Sequence, residues 1–359
     1  MKHSVAKRLL QLAVGLAISV FFIWLSLREV ALGNVFDALE QADLRYLAPY
    51  LAILVAIHFC RTLRWGILLE PIGKPTFDRL NLASAVGFMG LVVMPFRLGE
   101  FARPLLIAEH GKIRSSAAMG SIVVERVVDG LAMALVLFVA LFFSTPVTSD
   151  PSQLAWARRG GVVVFCIFLV ILFFSALAYA KREFAVGLVR RLTTPISSKL
   201  ADKLAEMLDA FIGGLRLVPD RRKIALFFAM TLAYWAMNGF GLQLLALGFG
   251  LDLDVAAAFT ILGLLVIGVM IPAGPGMLGT FQGAIILGTE LFFPGEAFKS
   301  AVFAYAWVVW AAQFGQQVLF GLYYVVRGRV SLSRLWQPAP EPDAEPKSEP
   351  EPTAPGGAL

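Results

Sequence analysis

Long runs of apolar side chains dominate the sequence, and most of them have the length of a membrane-crossing helix. A helix needs about 20 consecutive, mostly apolar residues to cross the hydrocarbon core of a bilayer. The pattern therefore predicts an all-α polytopic membrane protein. The apolar segments lie at 9–27, 46–69, 79–94, 116–143, 160–180, 224–249, 255–273, 275–293 and 299–326.

The basic residues indicate which of these segments cross the membrane. Cytoplasmic loops carry an excess of Lys and Arg, so the basic cluster at 2–8 places the N-terminus in the cytoplasm. Nine simple crossings would then leave the most basic loop, 181–223, on the outside. The conflict disappears if 79–114 enters and leaves on the cytoplasmic side, and Pro95 and Gly99 break that segment where the turn would fall.

A second interrupted segment, 255–293, is split by the Pro- and Gly-rich stretch 272–279. We predict about six full transmembrane helices plus two re-entrant helical hairpins, 79–114 and 255–293, that enter from opposite faces. Both termini are then cytoplasmic, and we expect the protein in the cell (inner) membrane. Interrupted segments at corresponding positions point to a translocation site near the midplane of the bilayer.

The composition agrees with a membrane protein: of 359 residues, 58% are hydrophobic and 16% are charged, with a mean hydropathy of +0.75. Soluble domains are about 45–50% apolar and about 25% charged. We predict one integral membrane domain at 1–336, with a cytoplasmic amphipathic helix at about 200–217, and a disordered Pro/Glu-rich tail at 337–359.

The charge and the cysteines narrow the expected partners and cofactors. The net charge of +6 becomes +10 without the acidic tail, which suits loops facing an anionic leaflet and does not indicate nucleic acid. Cys60 and Cys166 lie inside apolar segments, and the three histidines share no metal-ligand spacing. We therefore expect membrane lipids as partners and no metal or other cofactor.

Two groups of ionisable residues fall at membrane depth. Counted from Ser115, the second group lies about 15–21 Å into the bilayer, where charges are costly and mark a pathway or a site by default. One interpretation is a buried ion-pair network that fastens the hairpin to the helix; the other is that the arginines hold an anionic headgroup. The groups are Arg97, Glu100 and Arg103 in the first hairpin, and Glu125, Arg126 and Asp129 on the next helix.

Other candidate substrate-binding residues lie elsewhere in the apolar segments. Arg61 and Arg64 follow His58 at intervals of three residues, and they either extend to the cytoplasmic headgroups or form a loading site for lipid phosphate. Four further candidates are buried polar residues or hairpin-tip glycines. Polar residues of this kind more often bond a neighbouring helix than a ligand. The four are Asn238, Gly276, Gly279 and Gln282.

The order and spacing of these motifs resemble the lysylphosphatidylglycerol synthase transmembrane (flippase-like) family over about residues 8–330. The motifs are Pro95-x-Arg97-x-Gly99-Glu100-x-x-Arg103, Glu125-Arg126-x-x-Asp129 and Pro275-Gly-x-x-Gly279-Thr-Phe. The resemblance is to a stand-alone member without the soluble synthase domain. Gln282 stands where many relatives have an acidic residue.

The resemblance implies a flippase and leaves its cargo open, since in two-domain members the membrane region is associated with an aminoacylated phospholipid. The arginines favour an anionic or phosphate-bearing lipid, and we expect a transporter rather than an enzyme. The alternative is an integral-membrane enzyme, or an accessory subunit for a lipid-modifying enzyme, in polyprenyl, hopanoid or glycolipid biosynthesis. No nucleophile–base pair is visible in the sequence, and the oligomeric state stays open.

Overall fold

The structure is a computed structural model. The first predicted helix, 9–27, most of 160–180 and 200–217, and the tail fall outside the residues it describes, as does Arg97. The described residues are 32–94, 99–108, 113, 115–144, 159, 162–163, 166, 169–170, 173, 181–195, 197–198, 201–202, 204–205, 220–271 and 273–330.

Ten α-helices and no strand are found among these residues, as expected for the all-α class. Two short 3₁₀ turns, Leu44–Tyr46 and Pro275–Met277, complete the regular structure. The α-helices are α1 (Leu32–Gln41), α2 (Leu47–Gly73), α3 (Phe77–Val93), α4 (Ala102–Ala108), α5 (Ser115–Phe143), α6 (Arg182–Thr193), α7 (Arg221–Leu247), α8 (Val255–Met270), α9 (Thr280–Glu290) and α10 (Glu296–Val326).

Three stretches of the described chain are long and apolar enough to cross a membrane: Leu44–Gly73, Ala117–Phe143 and Arg221–Leu247. A shorter apolar helix, Val255–Met270, belongs to the second predicted hairpin. Helices α1 and α6 were not expected, because both lie in segments assigned to connecting loops. The charged residues that made those segments look like loops occupy exposed positions of short helices.

Local signals explain where several helices begin. Asp220 precedes α7, and its carboxylate accepts a 2.8 Å hydrogen bond from the backbone N–H of Arg222. Asp254 precedes α8 and accepts a 2.6 Å bond from the N–H of Ala257. Each carboxylate satisfies a backbone donor that the first turn of a helix leaves unpaired.

The first interrupted segment folds back on itself through a contact between glycines. Helix α3 packs against α4, and a Cβ atom on Gly99 would collide with the backbone of Gly90 and Leu91. A side chain at Gly87 would collide with that of Arg103. Glycine at these points lets α3 and α4 approach closely, and Arg103 lies against the face of α3.

The second interrupted segment is a helical hairpin formed by α8, the turn Pro275–Met277, and α9. Gly268 of α8 lies against Ala284 of α9, and Gly288 lies against Ile261. The turn contacts α3, and Trp310 of α10 donates a 2.8 Å hydrogen bond to the Gly276 carbonyl. Helix α3 of the first hairpin and the break of the second are therefore in contact.

The hairpin helices pack against the long helices and against each other. Helix α2 packs on α7, α3 on α10, and α8 on both α5 and α9. The largest buried cluster joins α7, α8, α9 and α10, with Leu242, Ile261, Ile285 and Tyr305 fully buried. A second cluster, centred on Trp65, lies where α2, α3, α4 and α5 meet, and the charged residues gather beside it.

Candidate functional site

Arg64 is the centre of a buried ion-pair cluster. Its side chain is 0% exposed, and its Nη2 donates to Glu125 Oε1 at 3.1 Å and to Asp129 Oδ2 at 2.9 Å. Its Nη1 donates to Asp129 Oδ1 and, at 3.2 Å, to the hydroxyl of Thr231. Arg64 thus joins α2, α5 and α7. Of the two interpretations of Arg64, extension to the cytoplasmic headgroups does not fit, because two carboxylates hold its guanidinium in the interior. A role of Arg64 in loading lipid phosphate stays a prediction.

Glu125 receives two further arginines. Arg103 Nη1 lies 3.2 Å from Glu125 Oε2, and Arg126 Nη2 lies 3.1 Å from Glu125 Oε1. Arg103 is 3% exposed and Arg126 is 34% exposed. Three guanidinium groups on one fully buried carboxylate stabilise its ionised form by short-range Coulomb attraction. Glu125 therefore links the first hairpin, through Arg103, to α2 and α5.

The packing around Arg103 fixes its direction. Its guanidinium carbon lies 4.3 Å from the centroid of the Trp65 ring and 4.7 Å from that of Phe88. The Trp65 indole N–H donates a 2.9 Å hydrogen bond to the hydroxyl of Ser121, which holds the ring. Flat aromatic faces favour a cation placed over them, so the two rings direct Arg103 toward Glu125.

A polar cavity of about 70 Å³ lies between α2, α3, α7 and α10. Arg61 reaches it from α2, one turn before Arg64, and Asn238 reaches it from α7. Asn238 Nδ2 also donates to the Tyr234 carbonyl at 2.8 Å, so it bonds its own helix instead of a neighbouring one. The polar side chains of the lining include His58, Arg61, Asn238, Gln313, Gln316 and Gln317.

The three glutamines were not predicted as site residues. Their spacing of i, i+3 and i+4 places them on one face of α10. Polar residues on one face of an otherwise apolar helix indicate an inward-facing or water-lined surface, so the sequence contained this signal. Gln313 Nε2 donates a 3.0 Å hydrogen bond to the Tyr50 hydroxyl.

His58 connects the cavity to a chain of partly buried hydrogen bonds. The side chain is 2% exposed, and its Nε2 is 2.9 Å from Asn81 Oδ1. The Asn81 amide donates in turn to the Tyr324 hydroxyl at 2.8 Å. His58 is therefore held in the interior, by the first hairpin and α10.

The glycine motif forms the tip of the second hairpin. Gly276 has φ +72° and Gly279 has φ +85°, which glycine adopts more readily than other residues do. Gln282 is 1% exposed, and its Oε1 accepts a 2.8 Å hydrogen bond from the Gly279 N–H. The geometry gives Gln282 a capping contact at the start of α9, and a role in binding stays a prediction for these three residues.

The remaining predicted residues lie near the cluster or outside the described part. Glu100 is half-buried at the start of the first hairpin's return and interacts electrostatically with Arg126. Arg97 falls within 95–98, outside the described residues, so its binding role stays a prediction. The structure therefore brings together Glu100, Arg103, Glu125, Arg126 and Asp129 with Arg64, which the sequence had placed in a separate group.

These features define a helical membrane protein with interrupted hairpins and a buried charge cluster. Residues 12–315 match the family described as the lysylphosphatidylglycerol synthase TM region, and the chain belongs to this family. The resemblance seen in the motifs is thereby confirmed.

Curated relatives are similar at low identity. A UPF0104 membrane protein of Methanothermobacter thermautotrophicus is 22% identical, over 77% of this chain and 84% of the relative. A UPF0104 membrane protein of Methanocaldococcus jannaschii is 25% identical, over 66% and 94%. Glycosyltransferase AglD of Haloferax volcanii is 23% identical, over 77% of this chain and 48% of that protein. No solved structure matches significantly.

Proposed function

We propose that this chain is a lipid translocase, which moves an anionic or phosphate-bearing lipid between the leaflets of the inner membrane. In this proposal about six helices cross the membrane, and the α3–α4 and α8–α9 hairpins enter from opposite faces. Membership in the family and the long apolar helices support the membrane location. The headgroup would cross inside the bundle while the acyl chains stay in the bilayer.

The observation that carries the proposal is a polar cavity placed between apolar helices, close to the break of the second hairpin. Gln313 lines the cavity, and Trp310, which bonds Gly276 at the hairpin tip, precedes it by one turn of α10. Irregular backbone at membrane depth is tolerated where it is buried in protein or lines a wet cavity. The arrangement suits a path on which a headgroup passes from the cavity to the hairpin tips.

The charge cluster and the cavity have different parts in this proposal. Arg64 and Arg103 are neutralised by Glu125 and Asp129, so their charges hold helices together. Arg61 lines the cavity and forms no ion pair with any residue that the structure describes. It is therefore a cation available to a headgroup, although Glu125 and Asp129 attract it from beyond ion-pair distance.

Reconstitution tests the proposal. Purified protein is placed in liposomes that contain a trace of fluorescent phosphatidylglycerol, and dithionite is added outside to bleach the label in the outer leaflet. A translocase brings the inner label outward, so we expect nearly complete bleaching, against partial bleaching in protein-free liposomes. Bleaching that stops at the protein-free level would contradict the proposal.

Labelling of single cysteines tests the topology. With Cys60 and Cys166 replaced, a cysteine near Lys112 and one near Arg190 should react only with reagent on the cytoplasmic side. The physical reason is that both positions lie among basic residues, which stay cytoplasmic. Reaction of the Lys112 site from outside would remove the first re-entrant hairpin from the proposal.

A second candidate function is an enzyme or accessory role in lipid-linked glycan synthesis. The observation that favours it is the name of the Haloferax relative, a glycosyltransferase, of which this chain matches 48%. The same liposomes distinguish an enzyme, an accessory subunit and a translocase. An enzyme would change the mass of a lipid, an accessory subunit would leave mass and leaflet unchanged, and a translocase changes only the leaflet.

A further inference from the structure

Arg61 differs from the other described arginines of this region in what surrounds it. Its guanidinium carbon lies 3.7 Å from the centroid of the Phe88 ring and 5.7 Å from that of Tyr234, and no carboxylate of the described residues pairs with it. Arg64, one turn away, is held by two carboxylates. Arg61 is half-buried, and a cation in such a position is stabilised by a counter-charge or by water, either of which the cavity beside it can hold.

Carboxamides supply most of the other polar groups of the cavity. Gln316 Nε2 and Gln317 Oε1 are buried and have no hydrogen-bond partner within the described chain. One of these atoms is a donor and the other an acceptor. Hydroxyl groups both donate and accept, so a hydroxylated ligand has the groups that these two atoms need, whereas an apolar ligand would leave both unpaired.

The charge and the size of the cavity restrict which ligand groups it can bind. Among the described residues, no Asp or Glu lines the cavity, so a ligand ammonium would meet Arg61 without a carboxylate to pair with. A water molecule needs roughly 10–15 Å³ by the same measure, and a volume of about 70 Å³ therefore holds a group of only a few polar atoms. A phosphate or a glycerol unit has that size, and the open side of the cavity leaves room for the rest of a larger headgroup, so the selection against a lysyl group rests on charge.

We propose that this cavity binds the headgroup of an anionic phospholipid whose phosphate pairs with Arg61 and whose hydroxyls bond the glutamines of α10, and that it excludes aminoacylated, cationic headgroups. The inference rests on the proposed function, because it names the lipid class that the translocase takes. It predicts that this chain does not prefer the lipid after which its family is named.

Lipid retention tests this selectivity in the intact protein. The full chain is extracted from vesicles with equal amounts of phosphatidylglycerol, lysylphosphatidylglycerol and phosphatidic acid, and the retained lipids are quantified by mass spectrometry. We expect phosphatidylglycerol to exceed lysylphosphatidylglycerol about tenfold, and to exceed phosphatidic acid, which lacks the terminal hydroxyls. Equal retention, or a preference for lysylphosphatidylglycerol, would overturn the inference.

Single substitutions test whether the cavity causes this preference for phosphatidylglycerol. Arg61→Gln should remove the advantage of phosphatidylglycerol over the cationic lipid, and Arg61→Lys should keep part of it, since an ammonium retains the charge without the two-pronged geometry. Arg79→Gln, at an exposed position outside the cavity, is the matched control and should behave as wild type. If Arg61→Gln does not fold, Gln317→Leu serves instead, and it should abolish the preference over phosphatidic acid. An unchanged preference in a folded Arg61→Gln or Gln317→Leu protein would overturn the inference.

Soluble probes separate a lipid from a free phosphate. If inorganic phosphate raises the melting temperature of wild type but not of Arg61→Gln, and no lipid is preferred, the ligand is a free anion and the lipid assignment fails. The test also separates this inference from the proposed function. If the protein retains phosphatidylglycerol selectively but does not scramble lipid, the binding site is supported and the translocase function is refuted. If it scrambles lipid without selective retention, the translocase function is supported and the proposed binding site is refuted.

Discussion

Replacing Arg64 with alanine removes the centre of the buried cluster. In the described structure Asp129 would then keep only Arg126, at 3.9 Å, whereas Glu125 would keep both Arg103 and Arg126. Breaking a buried pair by deleting one partner costs about 3–5 kcal/mol, because an uncompensated charge stays inside. We expect Arg64→Ala to lower the free energy of unfolding by that amount.

The assay is an SDS titration of purified protein, followed by circular dichroism, on Arg64→Ala, Asp129→Asn and the double variant. Arg64→Ala leaves the buried carboxylate of Asp129 without its main partner, and Asp129→Asn removes that charge. The double variant should therefore lose less stability than the two single variants lose together. Contacting charged residues show coupling of about 0.5–3 kcal/mol, and we expect the upper part of that range.

Arg329→Ala is the matched control. Arg329 also pairs with both oxygens of one carboxylate, that of Asp78, but the two side chains are 44% and 57% exposed. Water and salt screen such a pair, so this substitution should change stability little. If Arg64→Ala were no more destabilising than Arg329→Ala, the buried cluster would not hold the helices and the reasoning would be refuted.

Three further predictions follow from single contacts. Gly87→Ala should lower the free energy of unfolding by about 1–3 kcal/mol, because the new Cβ atom would collide with the Arg103 side chain. SDS titration measures this loss, and unchanged stability would contradict the close approach of Arg103 to Gly87. Gly276→Ala should lower the free energy of unfolding by about 1–3 kcal/mol, because alanine is strained at a φ of +72°. Gly315→Ala, at a helical position with open space around it, should not lower it. Equal losses of stability in the two variants would argue against backbone strain at Gly276. A hydrogen bond from Arg329 lowers the pKa of Asp78 below 3.8, so the stability from this pair is present above 3.8 and lost as pH falls through the lowered pKa. Because the pair is exposed, the difference in stability between wild type and Asp78→Asn should be small at pH 7 and vanish at acidic pH; a difference that persists there would contradict this link.

The helices were predictable where an apolar run has polar or glycine-rich ends. The segment predicted at 116–143 is Ser115–Phe143 in the structure, and that predicted at 299–326 is Glu296–Val326. The break at 272–279 was also predicted from its prolines and glycines, and the described part of it contains the turn Pro275–Met277. Hydropathy is a local property, so it locates such elements without knowledge of their neighbours.

The partners of the charged residues were not predictable in the same way. Glu125 and Asp129 share a helix face by spacing alone, but the contact with Arg64 joins residues more than 60 positions apart. Which arginine reaches them depends on how α2 and α5 pack, and helical periodicity carries no information on that. The glutamines of α10 line a cavity because α2, α3 and α7 pack around the same face, and that packing is not visible in the sequence of α10.

Liposome scrambling by two variants tests most directly that Arg61 handles the lipid while Arg64 only holds the helices. One is Arg61→Gln; the other is Arg64→Met combined with Asp129→Asn, which removes the buried pair without leaving a full charge, since apolar replacement of such pairs is often tolerated. We predict that the Arg64 and Asp129 double variant scrambles phosphatidylglycerol at the wild-type rate and that folded Arg61→Gln protein does not. Normal scrambling by Arg61→Gln together with an inactive but folded double variant would contradict the account.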